Sequence, residues 1–231
     1  MNKVKQKFSW DGVSDETTGQ SGIVRDKFLE NEIFTLDCYE HVYPVKEGDV
    51  VLDLGASIGP FTWKVMDKAS KVYAVEPMAD LIPTIKKNTD GFNVEIINKA
   101  LSYENGEIGM TDECINTFDV RNVKTTDFKT LLKDNNITKL DYIKTDCEGG
   151  EYFLFRDENI PFLKSVRSIV GEFHLRDKIH NIEFRYFRDK FLPQFKNFEV
   201  YSLDKVNIKW DLYNEHFLDY YNEVMIHINN E

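Results

Sequence analysis

The sequence predicts an α/β fold in which a mostly parallel β-sheet is covered by helices on both faces. From residue 50 onward, short apolar runs typical of buried strands alternate with segments of helical periodicity, and the connections between them are short. The last two strand segments, 198–203 and 223–228, are expected to pair as an antiparallel edge. Together these patterns predict a seven-stranded, doubly wound sheet.

The individual elements follow from local patterns. Asn105-Gly106 is typical of a tight turn, so we expect 100–103 and 107–111 to pair as an antiparallel hairpin. Residues 22–40 have apolar residues at helical spacing and predict one or two helices before the sheet. Strands are predicted at 50–54, 72–75, 94–98, 140–145 and 168–173, and helices at 60–68, 79–88, 127–135 (capped by Thr126 or Asp127) and 182–192.

Length and charge limit the domain organisation and the partners. The 231 residues predict an N-terminal arm with helices over 1–45 and one large domain over 46–231. A net charge of −11 argues against tight binding to nucleic acid or to an anionic membrane. We found no apolar run that resembles a signal peptide or a membrane span. The odd number of cysteines, without metal-type pairing, predicts reduced thiols at Cys38, Cys114 and Cys147 and a cytoplasmic protein.

The turn after the first predicted strand predicts a nucleoside site. Glycines in GASIG (55–59) let the backbone approach a ligand, and Glu76 at the next strand end can accept both ribose hydroxyls. Ser57 replaces the glycine that a dinucleotide needs, and Asp53 repels phosphate but suits a cationic group. S-adenosylmethionine has the ribose and the cationic groups and lacks phosphate. The predicted cofactor-binding residues are Asp53, Gly55, Ala56, Ser57, Gly59, Glu76, Asn98 and Asp146.

A second group of polar residues ends the fourth and fifth predicted strands of the sheet. The run DCEGGE (146–151) follows one strand, and Glu172 and His174 close the next. His174, Glu172 and Asp146 are the candidates for a catalytic base, in no fixed order. Asp146, Glu148 and Glu172 could instead hold a divalent cation, but the sequence favours a metal-free site, and we assign no metal ligand.

Two motifs carry a family resemblance. The segment 48–59 (GDVVLDLGASIG), with 125–132 and the run DYIKTDCEGGE (141–151), resembles the FkbM-type methyltransferases over about residues 35–175. The resemblance implies a Rossmann-like class I methyltransferase domain and S-adenosylmethionine-dependent O-methylation of hydroxyls on sugars or metabolites. It also implies that Asp53, Gly55 and Gly59 shape the cofactor turn, Glu76 holds the ribose and Asp146 closes the site. Ser57 stands where the family commonly has Asn, and Cys147 where it commonly has an aliphatic residue.

The expected function is therefore O-methylation of a small-molecule or carbohydrate acceptor, with no nucleic-acid or membrane partner. An inactive Rossmann-like binding or scaffold module and a metal-assisted O-methyltransferase remain as alternatives. A nucleobase amino-methyltransferase is disfavoured because the fourth strand ends in DCEG (146–149) rather than in an acid or amide followed by two prolines and an aromatic residue. The aromatic segment 210–221 and the helix at 182–192 could cover an acceptor, or pack the sheet edge and a homodimer contact.

Overall fold

The computed structural model describes residues 4–10, 29–112 and 117–231. The strands within them are β1 Val50–Leu54, β2 Lys71–Val75, β3 Val94–Ile97, β4 Ala100–Leu101, β5 Gly106–Asp112, β6 Thr117–Thr126, β7 Tyr142–Thr145, β8 Ser168–His174, β9 Asn197–Tyr201 and β10 Glu223–Asn229. Seven of these strands form one sheet in the order β3-β2-β1-β7-β8-β10-β9. β10 is antiparallel to both of its neighbours, and the other pairings are parallel. The predicted seven-stranded sheet with an antiparallel edge is confirmed, and the reversed strand lies one place inside the edge.

The helices are short and connect the strands across both faces. Asp127 caps the helix before β7, since its Oδ1 accepts the N–H of Thr130 at 2.9 Å, as the sequence predicted. The helix expected at 182–192 begins earlier because Asp177 accepts the N–H groups of Ile179 and His180. It continues as a wider turn over Phe187–Phe191. The α-helices are α1 Pro60–Val65, α2 Ile82–Asn88, α3 Phe128–Asp134, α4 Ile160–Leu163, α5 Lys178–Tyr186 and α6 Phe217–Tyr220.

The predicted hairpin after β3 is wrong. β4 and β5 do not pair with each other, because both pair with β6: β4 in parallel and β5 antiparallel. The ten-residue β6 offers a backbone edge to each of them. The Asn105 side chain donates to Asp127 Oδ2 at 2.7 Å, which ties the expected turn to the start of α3. Cys114 lies outside the described residues.

The helical segment predicted before β1 is described only in part. Residues 29–30 are helical and continue as a wide helical turn over Asn31–Thr35, and residues 22–28 lie outside the described residues. Cys38, which follows the turn, is a buried free thiol. No helix in the described part of the chain has both the length and the apolar character that crossing a membrane requires.

Apolar side chains pack on both faces of the sheet. One face buries Leu52, Ile143 and Phe173 with the aromatic rings of α5 and α6. Phe184 and Phe217 stack there with ring centroids 5.7 Å apart. The aromatic segment 210–221 thus packs the sheet edge through its apolar members. The opposite face buries a second cluster that includes Val51, Phe61, Val65, Tyr142 and Val170.

A histidine without hydrogen bonds is buried in β10. The His227 ring packs against His41 and Tyr201, at centroid distances of 4.7 and 5.5 Å. Neither of its ring nitrogens has a hydrogen-bond partner within the described structure. Burial, with a smaller contribution from His41, lowers the pKa of His227 from 6.5 to about 3. The folded protein therefore holds this ring neutral.

We expect His227 to make the fold sensitive to acid. Its folded pKa is below the unfolded value, so this stability is present above about pH 6.5 and is lost as the pH falls toward 3. Between pH 7.5 and 5, the unfolding free energy of the wild type should fall by about 2 kcal/mol more than that of His227→Phe. Urea unfolding at both pH values measures this difference. His41 and the carboxylates titrate in both proteins, so equal losses would contradict the assignment.

Candidate active site

A cavity of about 590 Å³ opens at the carboxyl ends of the parallel strands. It lies above β1 and β7, where β2 and β3 extend the sheet to one side and β8 to the other. This is where open α/β sheets bind ligands, and the volume suits a small molecule. We call its two walls the β2 end and the β8 end. The β2 end includes Gly55, Ser57, Glu76, Met78, Leu81 and Leu101, and the β8 end includes Glu32, Asp146, Glu148, Glu172, His174, Arg176 and Glu223.

The turn after β1 closes against the end of β7. Gly55 has a φ of +74°, and a Cβ at this position would overlap the backbone carbonyl oxygen of Asp146. Only glycine allows this approach without a shift of the backbone. The turn then directs the N–H of Ser57 to Glu76 Oε2 at 2.8 Å. The sequence-predicted pair of Gly55 and Glu76 is thus brought together in one wall.

Glu76 is held by the backbone at the end of β2. Its Oε2 accepts the N–H of Ser57 and its Oε1 accepts the N–H of Met78, both at 2.8 Å. A carboxylate oxygen can accept more than one hydrogen bond, so these two backbone contacts do not prevent Glu76 from accepting hydroxyl donors as well. Asn98 donates to the carbonyls of Glu76 and Pro77 at 2.8 and 2.9 Å. It supports the strand end and is not part of the cavity wall.

Asp53 lies beneath the cavity and not in its wall. The side chain is fully buried, and its Oδ2 accepts the Thr62 hydroxyl at 2.6 Å. Lys144 Nζ is 3.5 Å from Asp53 Oδ1 and donates to the Gly55 carbonyl at 2.8 Å. Although burial disfavours its charge, Asp146 and Asp53 raise the pKa of Lys144. The cation beside Asp53 in this structure is therefore Lys144, whereas the sequence predicted a cationic group of the ligand there.

Two other residues predicted to bind the cofactor lie outside the wall. Ala56 is buried in a small apolar cluster with Ala74 and Ile85. Gly59 precedes α1 and packs near Ile85. Both residues therefore support the turn from the side that faces Ile85 and not from the cavity. The aromatic segment 210–221 also contributes nothing to the cavity wall among the described residues, and Trp210 is 80% exposed.

Three carboxylates meet at the β8 end. Oxygens of Glu32, Asp146 and Glu172 lie within 4.8 Å of one another. Burial, with Asp146, raises the pKa of Glu32 to about 7, and the same causes raise the pKa of Glu172 well above its ordinary value. Although burial opposes it, Lys144 lowers the pKa of Asp146, whose Oδ2 also accepts the Tyr39 hydroxyl at 2.9 Å.

Sequence reasoning missed Glu32. It lies in the short turn before β1, outside the two motifs, and it precedes Asp146 by 114 positions in the chain. The available signal is an acid between the apolar residues of a helical pattern, where a side chain is expected to be buried. That signal predicts burial but does not identify the partners.

His174 is held in its protonated form. Its Nδ1 is 3.1 Å from Glu151 Oε1, and its Nε2 is 3.4 Å from Glu148 Oε2 and 3.6 Å from Glu172 Oε1. Although burial favours the neutral ring, the hydrogen bond to Glu151 raises the pKa of His174 to about 9. At neutral pH the ring therefore donates hydrogen bonds and does not accept a proton.

A family model described as the methyltransferase FkbM domain matches residues 53–205. The chain belongs to this family. Membership of the FkbM methyltransferase family implies that the methyl donor is S-adenosylmethionine. The site fits it, because Glu76 presents carboxylate oxygens to a cavity of suitable size and the acidic β8 end suits a cationic ligand.

Comparison with solved structures agrees on the class I methyltransferase fold. The FkbM methyltransferase from Methylobacillus flagellatus has a TM-score of 0.50 at 12% identity, covering 81% of this chain and 45% of that one. The Methanococcus jannaschii fibrillarin pre-rRNA processing protein has a TM-score of 0.51 at 14% identity, covering 86% and 75%. At these identities the likeness shows the fold alone.

Curated relatives share a shorter segment. The ribosomal RNA small subunit methyltransferase A of Alkaliphilus oremlandii is 30% identical over 100 residues, which cover 43% of this chain and 30% of that protein. The Alkaliphilus metalliredigens protein of the same name is 31% identical over a segment of the same length. The chain thus aligns with less than a third of the length of these relatives. The names of these relatives weakly contradict our prediction, based on net charge, that the chain has no nucleic-acid partner.

Proposed function

We propose that this FkbM-family chain catalyses S-adenosylmethionine-dependent O-methylation of a hydroxyl on a neutral acceptor, such as a sugar, a glycan or a small metabolite. One observation carries the proposal: a single cavity has a backbone-held carboxylate, Glu76, in one wall and Asp146, Glu172 and His174 in the other. When bound, S-adenosylmethionine supplies a methyl group already activated by its sulfonium. The protein then has to align the acceptor and remove its proton.

The β2 end is proposed to bind the nucleoside part of the cofactor. Glu76 accepts the ribose hydroxyls, while Gly55 and Ser57 form the floor below them. Met78, Leu81 and Leu101 provide apolar surface for a purine ring. Asp53 acts indirectly in this proposal, because Lys144 joins it to the Gly55 carbonyl.

The β8 end is proposed to bind the acceptor. Asp146 and Glu172 present carboxylate oxygens that activate its hydroxyl, and the protonated His174 ring places a positive charge 3.6 Å from Glu172. At neutral pH the protonated ring is not a base, so His174 could accept the proton only above about pH 9. Among the three residues that the sequence predicted as candidates for the catalytic base, the protonated state of His174 therefore favours the carboxylates Glu172 and Asp146.

The charge of the β8 end supports an acceptor without phosphate. Glu32, Asp146 and Glu172 lie in this wall, while Arg176 is already paired with Glu148 and Glu223. A phosphate there would meet like charges at short range, which is unfavourable in a partly buried site. RNA is the second candidate acceptor, on the strength of the names of the curated relatives.

The full chain can be tested for cofactor binding and then for transfer. S-adenosylhomocysteine should raise the melting temperature and NAD should not, because specific ligands stabilise the folded state. Radiolabelled methyl from S-adenosylmethionine should then appear on members of a panel of neutral sugars and hydroxylated metabolites and not on ribosomal RNA. Labelling of RNA alone would select the second candidate. Binding without transfer to either class would support the inactive binding module.

Replacing Glu172 with glutamine should lower turnover by about 10²–10⁴-fold, because the amide neither accepts the proton nor carries the charge that activates the hydroxyl. The affinity for S-adenosylhomocysteine, measured by calorimetry, should change by less than about twofold, since Glu172 is not at the β2 end. Glu95→Gln on β3, where the carboxylate pairs with Lys71, is the control. Turnover of Glu172→Gln equal to that of the control would remove Glu172 from the mechanism.

A further inference from the structure

Three carboxylates from separate parts of the chain converge at the β8 end. Glu32 comes from the turn before β1, Asp146 follows β7, and Glu172 lies in β8. Their oxygens lie within 4.8 Å of one another. Oxygen ligands bind Mg²⁺ or Ca²⁺ at about 2.0–2.6 Å, so two ligands of one ion are at most about 5 Å apart. The spacing therefore suits a cation without any movement of the backbone.

Glu32 supplies an independent indication of a ligand. Glu32 lines the cavity and is only 6% exposed to solvent. Its Oε1 nevertheless has no hydrogen-bond partner within the described structure. Glu172 is equally buried, at 6% exposure. Burying ionised carboxylates costs free energy unless a positive charge or a set of donors faces them. A buried oxygen that lacks a partner in the cavity wall therefore indicates a group bound there.

The nearby cations are already engaged with other acids. Lys144 lies between Asp146 and Asp53, at 3.5 Å from each. His174 is bonded to Glu151 through Nδ1, and its Nε2 lies between Glu148 at 3.4 Å and Glu172 at 3.6 Å. Across the described ranges, neither Lys nor Arg forms an ion pair with Glu32 or Glu172. When all three carboxylates are ionised, the cluster thus has more negative charge than Lys144 and His174 neutralise.

We propose that Glu32, Asp146 and Glu172 bind one divalent cation, Mg²⁺ or Mn²⁺, at the β8 end. These hard ions prefer carboxylate oxygens, and an ion here would lower the pKa of an acceptor hydroxyl bound beside it. That catalytic role rests on the proposed function, whereas binding of the ion does not. The site revises the metal-free expectation from the sequence, because Glu32 was not among the residues considered there.

Two other groups of residues have similar spacing. Glu172 and His174 approach Glu223, and His174 also approaches Asp146 and Glu148. Both groups include a carboxylate that Arg176 already neutralises, at 2.9 Å for Glu148 and 2.8 Å for Glu223. Neither outer acid has the unpartnered buried oxygen that distinguishes Glu32. The group that contains Glu32 is therefore the favoured one.

Binding of Mn²⁺ to the full chain tests the proposal. Calorimetry and the electron paramagnetic resonance of free Mn²⁺ should show one site in the wild type that Mg²⁺ competes for. Glu32→Gln and Glu172→Gln should each weaken it at least tenfold, whereas Glu223→Gln should leave the dissociation constant within about twofold. No Mn²⁺ site in the wild type would overturn the proposal. Loss in Glu223→Gln with retention in Glu32→Gln would also overturn it.

Thermal unfolding separates a ligand role from a structural one. In EDTA, Glu32→Gln should be at least as stable as the wild type, because it relieves repulsion within the cluster. Mn²⁺ should raise the melting temperature of the wild type and not that of Glu32→Gln. An equal rise in both proteins would contradict the assignment. S-adenosylhomocysteine binding to the wild type in EDTA is measured in parallel. If the wild type does not bind S-adenosylhomocysteine, the proposed function is contradicted. If it binds S-adenosylhomocysteine but has no Mn²⁺ site, only the cation proposal is contradicted.

Discussion

Replacing Glu76 with alanine should weaken S-adenosylhomocysteine binding at least 100-fold, which is about 2.7 kcal/mol. The carboxylate is fixed by the N–H groups of Ser57 and Met78 before any ligand arrives, so ribose hydroxyls meet acceptors already in place. Alanine removes both acceptors and leaves the two N–H groups without their partner. Calorimetric titration with S-adenosylhomocysteine measures the loss.

Glu76→Gln sharpens this prediction. Glutamine keeps the shape of the side chain, but its amide nitrogen would face the N–H of Ser57 or of Met78, donor against donor. We expect a loss of affinity close to that of the alanine variant, with little change in fold. Glu95→Ala, on the neighbouring β3, is the matched control and should bind like the wild type. Wild-type affinity in either Glu76 variant would place the ribose elsewhere.

Gly55→Ala should disrupt both the fold and the cofactor site. The added Cβ would overlap the Asp146 carbonyl, and the φ of +74° is unfavourable for any residue with a side chain. The backbone must move where the turn after β1 contacts the end of β7, and we expect a loss of about 3 kcal/mol or more in the free energy of unfolding. Urea unfolding measures this loss, and S-adenosylhomocysteine binding should fall with it.

Gly91→Ala is the matched control for this experiment. Gly91 has a similar φ of +78°, but a Cβ there has no neighbour within 4 Å. Its cost should be limited to the strain of the left-handed conformation, about 1–2 kcal/mol. The difference between the two variants isolates the contact with Asp146. Equal losses would mean that the close approach of the two strand ends does not constrain the site.

Local patterns predicted much of the sheet and of the β2 end. Strand runs with short connections specify a doubly wound sheet, since parallel strands require crossovers. The turn at Gly55 and the acid at Glu76 are linked by the register of β1 and β2, which pair over their full length. Position along the chain was therefore enough to bring these two residues together.

The role of Asp53 depended on distant residues. Its position at the tip of β1 suggested contact with a ligand, but Thr62 and Lys144 enclose its carboxylate. Lys144 comes from β7, and only the pairing of β1 with β7 places it there. The predicted hairpin was wrong for the same reason, a contact between residues distant in sequence. The Asn105 side chain is bonded to Asp127, the cap of α3, and not to a partner within a turn. Long-range partners of this kind have no local signal.

The position of β10 affects the order in which the sheet can be completed. β9 is synthesised first, yet its ladder in the large sheet is with β10. On the ribosome, the nascent β9 must wait until the following strand has emerged and inserted beside β8. Until then, the growing chain exposes an unpaired β8 edge, which is the stage at which we expect chaperones to engage it.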